Sequence, residues 1–305
     1  MGAASGLGRE PEPRGARSEN LTSVSLYAAH RVGRIPPDAV GSSLHTAQMT
    51  TPTVAPEIDE IGEFIGTLVA TPPAQLTNCR GWAVHDLTAH LAAGAAEQAD
   101  LIEEHLAGKP ARATRAFAER EPAYRALPDA ELRDRLLYEA TRFTTAQAEL
   151  GDVSIAFTGR PMTASDFAMH GRSECTLHRW DIVGRDDVGW TLLGQPALTH
   201  HALSVLSTMS ALTESPANRA VDLDVPDGLR VVVRSEPHDD LVITVADGVP
   251  TLTLEPITDA PAHLVLSPAA RLLFLWGRRE PSAAITLNAT GAHLALLDRL
   301  IPVCN

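Results

Sequence analysis

The spacing of the apolar residues changes near Pro216, and this change constrains the fold more than any other feature of the sequence. From Glu57 to about Thr213 the apolar residues recur every three or four positions, as in amphipathic helices. After Pro216 the period falls to two, and short strand-like runs alternate with turn-forming residues. A chain of 305 residues is long enough for two modest domains. We therefore expect a helical domain over residues 55–213 and a smaller α+β domain over residues 217–303.

Four long amphipathic stretches precede the change of period and predict a four-helix bundle. The first three begin near Glu57, Val84 and Asp129, and we predict Asp129 as the N-cap of the third helix. The fourth runs from about residue 162 to residue 187, and a fifth over residues 196–212 leads onward.

The C-terminal part predicts a small α+β domain, so the fold class expected for the whole chain is α+β with two domains. Its predicted strands are "AVDLDV", "LRVVVR", "LVITVA", "TLTLE", "HLVLS" and "AAITLNA", separated by turns such as Asp-Gly and "PHDD". Its predicted helices are "PAARLLFLWGRR" and "GAHLALLDRLI".

The first 50 residues differ in composition from the rest of the chain. Residues 1–20 are rich in Gly, Pro, Arg and Glu and contain no continuous apolar segment of the kind that a secretory signal needs. We predict that residues 1–50 form a disordered extension and that Met49 is an alternative start. A mildly amphipathic, basic segment within them leaves a transit-like sequence as the other interpretation.

Charge and cysteine content exclude several classes of function. The formal net charge of −13 argues against binding to nucleic acid or to an anionic membrane surface. Three irregularly spaced cysteines form no disulfide framework, and no apolar run approaches the ~18 residues that a membrane span needs. Neither a phosphate-binding loop nor a Gly-x-Ser-x-Gly motif occurs. We expect a cytoplasmic protein with small-molecule partners; its high alanine content and single lysine are typical of a high-GC bacterial genome.

A stripe of polar residues follows the fourth predicted helix. His170, Glu174 and His178 are each four residues apart, so successive members turn by ~400° and share one face. Glu174 and His178 can converge on one metal ion, and zinc accepts both ligand types. The role of His170 stays open between a polar group in the pocket and a core histidine. Cys175 lies ~100° away from the ligand face.

A third ligand must come from another helix, and the second helix offers two histidines. His85 and His90 are five residues apart, ~140° around the helix, so they cannot both face one point. His90 lies on the apolar side, whereas His85 lies towards solvent. From spacing alone, two interpretations are equally well supported. In one, His90, Glu174 and His178 form a metal site. In the other, His90 is a core histidine, and Glu174 and His178 are an ordinary pair on a helix surface.

Two motifs resemble the mycothiol-dependent maleylpyruvate isomerase family, whose N-terminal domain is one of the DinB-like metal-binding bundles. They are "GWAVHDLTAHL" and, some 80 residues later, "SECTLHRWDIVG". The segment "LVLSPAARLLFLWGRREP" resembles the family's second domain, which has a sterol-carrier-like α+β fold. The resemblance covers roughly residues 55–302 and is not specific for one substrate.

The resemblance implies His90, Glu174 and His178 as zinc ligands. Asp181 is close enough in sequence to orient the ring of His178; the alternative for Asp181 is a helix-face salt bridge with Arg185. The best candidates in the second domain for binding a substrate carboxylate are Arg278 and its neighbour Arg279. The alternative is that both are ordinary solvated residues at the end of a helix, where a cation suits the helix dipole.

The chemistry that the resemblance implies uses zinc and mycothiol as cofactors. The metal lowers the pKa of the thiol, and the thiolate is presented to a small electrophile, which is either isomerised or conjugated. Two other classes stay open, namely a DinB-like metalloprotein with hydrolytic chemistry and a non-enzymatic binding protein.

Overall fold

The structure, a computed structural model, describes residues 59–207, 226–247, 249–278, 284–286 and 289–300. Its class is mixed α+β, as the sequence predicts. Several predicted features lie outside the described residues, namely the extension over residues 1–50, the end of the fifth helix after Ser207, the strand "AVDLDV", the boundary between the two predicted domains, and Arg279. None of the described helices is both long and apolar enough to cross a membrane.

Among the described residues, the helical part contains three helices of 20 residues or more, two of 11 residues and three short ones. Its elements are α1 (Glu60–Ala70), α2 (Val84–Leu106), α3 (Phe117–Arg120), α4 (Pro122–Arg125), α5 (Asp129–Glu149), α6 (Ala164–Val183), α7 (Asp187–Leu193) and α8 (Pro196–Leu206). Helix α2 packs along α5 and α1 packs along α6, while α6 also contacts α2 and α5. These four are the helices that the apolar spacing predicts.

Local residues explain where the site-bearing helix α6 begins and ends. Thr163 and Asp166 form a capping box, in which each side chain accepts a hydrogen bond from the other residue's backbone N–H. Gly184, at φ 72°, follows the helix in a left-handed conformation that glycine adopts at little cost. This glycine ends α6 at Val183, earlier than the predicted residue 187.

The predicted N-cap of α5 is wrong by one residue. Pro128, with an extended backbone, is the N-cap, and Asp129 is the first helical residue. The Asp129 carboxylate instead accepts a hydrogen bond from Nδ1 of His85 at 2.5 Å. Instead of capping α5, the Asp129 side chain thus links α5 to α2 through His85.

The sequence pattern also missed the shortest elements. A hairpin of β1 (Ile155–Phe157) and β2 (Arg160–Met162) precedes α6, and α3, α4 and α7 each have seven residues or fewer. Such elements are too short to show a period in a window of 11–18 residues.

The described residues of the C-terminal part form a five-stranded sheet and two helices. Its elements are β3 (Arg230–Ser235), β4 (His238–Ala246), β5 (Val249–Glu255), β6 (Leu264–Leu266), α9 (Pro268–Leu275), β7 (Ala284–Thr286) and α10 (Gly291–Leu300). The strand order is β5-β4-β3-β6-β7, with only the β3–β6 pair parallel among the described strands. The turn predicted at "PHDD" is tighter than expected, because His238 already pairs with Ser235.

One apolar core connects the end of α6 to the C-terminal sheet. It includes Leu177 and Trp180 of α6, Leu198 of α8, Val231 of β3 and Leu272 of α9, all at most 6% exposed. The last two turns of α6, which include His178, are therefore held by both parts of the fold.

Candidate metal centre

The three predicted ligands come together between α2 and α6. Nε2 of His178 lies 3.4 Å from Oε2 of Glu174, and Nε2 of His90 lies 3.9 Å from the same oxygen. One ligand atom from each residue lies within 4.8 Å of the other two. The geometry therefore joins His90, from a different helix, to the pair that lies one turn apart on α6.

This cluster fits a zinc ion. Ligand atoms at ~2.0–2.2 Å around a tetrahedral ion are ~3.4 Å apart, close to the separations of Glu174 from the two imidazoles. Two histidines and one carboxylate are a ligand set of catalytic zinc sites, which leave a fourth position for water or substrate. The Glu174 side chain is 23% exposed, so the cluster is accessible from solvent.

His178 is oriented by a buried carboxylate. Its Nδ1 lies 2.8 Å from Oδ2 of Asp181, which is fully buried. Arg278 donates to both Asp181 oxygens, from Nε at 2.8 Å and from Nη2 at 2.6 Å. Arg185 lies over the Trp190 ring instead of pairing with Asp181. The contacts of Asp181 are thus those expected of a group that orients His178.

His90 has a matching support that the sequence pattern did not reveal. Its Nδ1 lies 2.7 Å from Oε1 of Glu121, and Nη2 of Arg125 donates to Oε2 of Glu121 at 2.9 Å. Arg125 also pairs with Asp86 of α2. Both imidazoles therefore have Nδ1 on a carboxylate and Nε2 towards Glu174, the usual arrangement of histidines that bind a metal.

The charges of the cluster agree with a cation site. Burial lowers the pKa of His178, but hydrogen bonds to Asp181 and Glu174 outweigh burial and raise the pKa to about 9. The pKa of His90 is also raised, because Glu121 and Glu174 outweigh burial. Burial raises the pKa of Glu174, but its bonds to the two histidines hold it well below the usual range. Positive charge is thus favoured at this point, and a metal ion would replace imidazole protons there.

His170 lies at the edge of the cluster. Its Nε2 is 3.9 Å from Oε1 of Glu174, and its Nδ1 is 3.2 Å from Nε2 of His201 on α8. Burial lowers the pKa of both histidines, to about 4 for His201. His170 is therefore a neutral polar neighbour of Glu174 and is not one of the three converging ligands.

Cys79, Cys175 and His85 lie outside this arrangement. Burial raises the pKa of Cys175 to about 12, which disfavours a thiolate at neutral pH. Cys79 forms a second group of close ligand atoms with His178 and Asp181, but both oxygens of Asp181 already accept from other residues. His85 is bonded to Asp129 and to a backbone carbonyl, in agreement with its exclusion from the metal site.

The substrate-binding role predicted for Arg278 stays a prediction. Nε and Nη2 of Arg278 donate to Asp181, and Nη1 donates to the carbonyl of Trp276 at 3.2 Å. The contacts of Arg278 in the structure are thus those of a group that holds Asp181 in place.

One comparison with known proteins finds a family that part of this chain resembles. Residues 54–183 match the sequence profile of the family described as "Mycothiol maleylpyruvate isomerase N-terminal domain", a range that contains the three converging residues and Asp181. No curated protein matches the chain.

Two solved structures resemble the fold. One is of the mycothiol-dependent maleylpyruvate isomerase, with 16% identity and a TM-score of 0.51, covering 76% of this chain and 90% of that one. The other is of a histidine-to-alanine mutant with that name, with 15% identity and the same TM-score and coverage. At such low identity these structures show a shared fold. Residues 54–183 of this chain are therefore similar to the mycothiol maleylpyruvate isomerase N-terminal domain family.

Proposed function

We propose that this protein is an enzyme that uses zinc and mycothiol to isomerise or conjugate a small electrophile. His90, Glu174 and His178 would hold the zinc ion. The observation that carries the proposal is the convergence of these three side chains while both imidazoles keep Nδ1 on a carboxylate. The N-terminal domain family supports a mycothiol-dependent reaction.

The residues around the three proposed ligands perform two tasks in this proposal. Glu121 and Asp181 hold the two imidazoles in the orientation that turns Nε2 towards Glu174. Arg125 and Arg278 keep these two carboxylates ionised, as the lowered pKa values of Glu121 and Asp181 reflect. When bound, zinc would lower the pKa of a thiol at the remaining coordination position.

The reaction class follows from thiol chemistry. A thiolate that adds to a conjugated double bond forms a C–S bond and leaves a single bond that can rotate. Loss of the thiolate breaks the C–S bond and restores the double bond, so the isomerisation needs no oxidant or reductant. If the C–S bond persists, the same addition is a thiol S-transfer.

Metal analysis of the purified protein tests the proposed site. Wild type should contain about one zinc ion per chain, and His90→Ala and Glu174→Ala should lose it. His85→Ala is the matched control, because His85 is on the same helix but bonded away from the cluster. A wild type without zinc, or full zinc content in His90→Ala, would contradict the site.

Dependence on the thiol separates the proposed reaction from the competing classes. Turnover of a conjugated electrophile should disappear when mycothiol is withheld and return when it is added. Activity that persists without mycothiol would favour a hydrolytic metalloprotein. A zinc-free protein without activity would favour a binding protein.

A further inference from the structure

Arg120, the last residue of α3, is a guanidinium beside the candidate metal centre that has no hydrogen-bond acceptor among the described residues. Its Nε and Nη1 are buried and donate to no acceptor among the described residues. Its Cζ lies 4.6 Å from the centroid of the Phe117 ring, whose own centroid is 5.2 Å from that of His90. The Phe117 ring thus contacts both Arg120 and the predicted metal ligand His90.

The carboxylates whose charges act on Arg120 are already engaged elsewhere. They belong to Glu97, Glu121 and Glu174. Their partners are Arg112 and Arg115 for Glu97, His90 and Arg125 for Glu121, and His90 and His178 for Glu174. Arg120 therefore lies near three carboxylates that accept no hydrogen bond from its Nε or Nη1, and near the guanidinium of Arg115.

Other buried guanidinium groups of the described chain differ from Arg120. Arg160, Arg179 and Arg271 each have one buried nitrogen without a partner. Each of them also reaches an acceptor through another nitrogen: Asp166 for Arg160, Asp186 for Arg179 and the Asp239 carbonyl for Arg271. Among the described residues Arg120 has no such contact.

An unpaired buried cation is costly, and a missing ligand is a common reason for one. Burial lowers the pKa of Arg120, yet a guanidinium remains charged at neutral pH. The planar group offers parallel N–H donors, whose natural partner is a carboxylate bound through both oxygens. A carboxylate beside the cluster would satisfy these donors.

We propose that Arg120 binds a carboxylate of the electrophilic substrate and so selects anionic over neutral electrophiles. The inference rests on the proposed function for the reaction itself, whereas anion binding beside the cluster can be measured without turnover. Arg120 is a specificity-determining residue in this account, and Arg278 supports His178 through Asp181.

The test is calorimetric titration of the zinc-loaded full chain with maleate, a small dicarboxylate, and with its neutral dimethyl ester. Arg120→Ala and Arg120→Met should weaken maleate binding about 10- to 100-fold, the range for a lost hydrogen-bonded charge pair. Arg120→Met keeps an apolar stem over Phe117, so it separates loss of charge from loss of packing. Binding of the ester should be the same in all variants.

Arg135→Ala is the matched control, because Arg135 is an exposed arginine of α5 that pairs with Glu139 at 3.6 Å. Its maleate affinity should equal that of wild type, and the zinc content of every variant should be unchanged.

Equal maleate affinity in wild type and Arg120→Met would overturn the inference, as would a wild type that does not bind maleate. A wild type without zinc would contradict the proposed function alone. The difference in maleate affinity between wild type and Arg120→Met would still decide the anion site in that case.

Discussion

The four histidines near Glu174 divide into two pairs that differ in what holds their rings. His90 and His178 each have Nδ1 on a carboxylate, and their pKa values are raised. His170 and His201 face each other, and burial lowers their pKa values. A carboxylate at Nδ1 therefore distinguishes the proposed metal ligands from the other two histidines. His170 lies on the same stripe of α6 as His178 but lacks this support.

The largest effect should come from breaking the buried support of His178. Asp181→Asn removes the charge that pairs with Arg278 and should destabilise the fold by about 3–5 kcal/mol, as expected for a broken buried ion pair. Zinc affinity should also fall about 10- to 100-fold. Urea unfolding and a zinc competition titration measure the two effects. Wild-type values in both would show that Asp181 supports neither.

The pair of His170 and His201, which lacks carboxylate support, can be tested through the pH dependence of the protein's stability. Because the folded state lowers the pKa of His201 to about 4 from an ordinary 6.5, the unfolded chain binds more protons between these values. Above pH 6.5, the contribution of His201 to the free energy of unfolding should therefore not change with pH. As the pH drops from 6.5 towards 4, the free energy of unfolding should fall by at most about 3 kcal/mol because of His201.

His201→Gln should remove this decrease, as measured by urea unfolding of the zinc-free protein from pH 7 to pH 4. The groups whose charges act on His201 are His170, Arg160, Glu174 and Asp166, and they are the same in both proteins. Parallel pH profiles for wild type and variant would contradict the assignment.

The support of His90 should matter more for the metal than for the fold. Glu121→Gln should reduce zinc affinity about 10- to 100-fold, because the Nδ1–H group of His90 loses a charged acceptor. The stability loss should be only about 1 kcal/mol, because Arg125 is 31% exposed and keeps Asp86. Glu119→Gln, an exposed change on α3, is the control for the zinc titration. An equal zinc affinity in both variants would argue against this role of Glu121.

The smallest effect is expected for the histidine that shares the stripe without a carboxylate. His170→Asn should keep the zinc content and the zinc affinity of wild type, because His170 is not among the three converging residues. Loss of zinc in His170→Asn would make His170 a ligand and would remove the distinction between the two pairs.

Much of the candidate metal site could be predicted from local spacing. Glu174 and His178 lie one turn apart on a helix, and His90 lies on the apolar side of another, so their side chains could be expected to meet in the helical part. The resemblance of the two motifs then favoured a zinc site over a core histidine. Arg120, in α3, and Glu121, between α3 and α4, could not be found in this way, because these four-residue helices are too short to show a period. The role of Glu121 also depends on its contact with His90 of α2.

By itself, the sequence determined the mixed α+β class, the helices α1, α2, α5 and α6, and the stripe on α6, because helix and strand periods are local properties of the chain. Only the tertiary structure decided which charges meet. Asp181 and Arg278 are 97 residues apart and Glu121 and His90 are 31 apart, and spacing along a helix cannot relate such pairs. Ion pairs and orphaned donors depend on the packing of separate elements, so the partners of each histidine and the unpaired Arg120 emerge only in the folded chain.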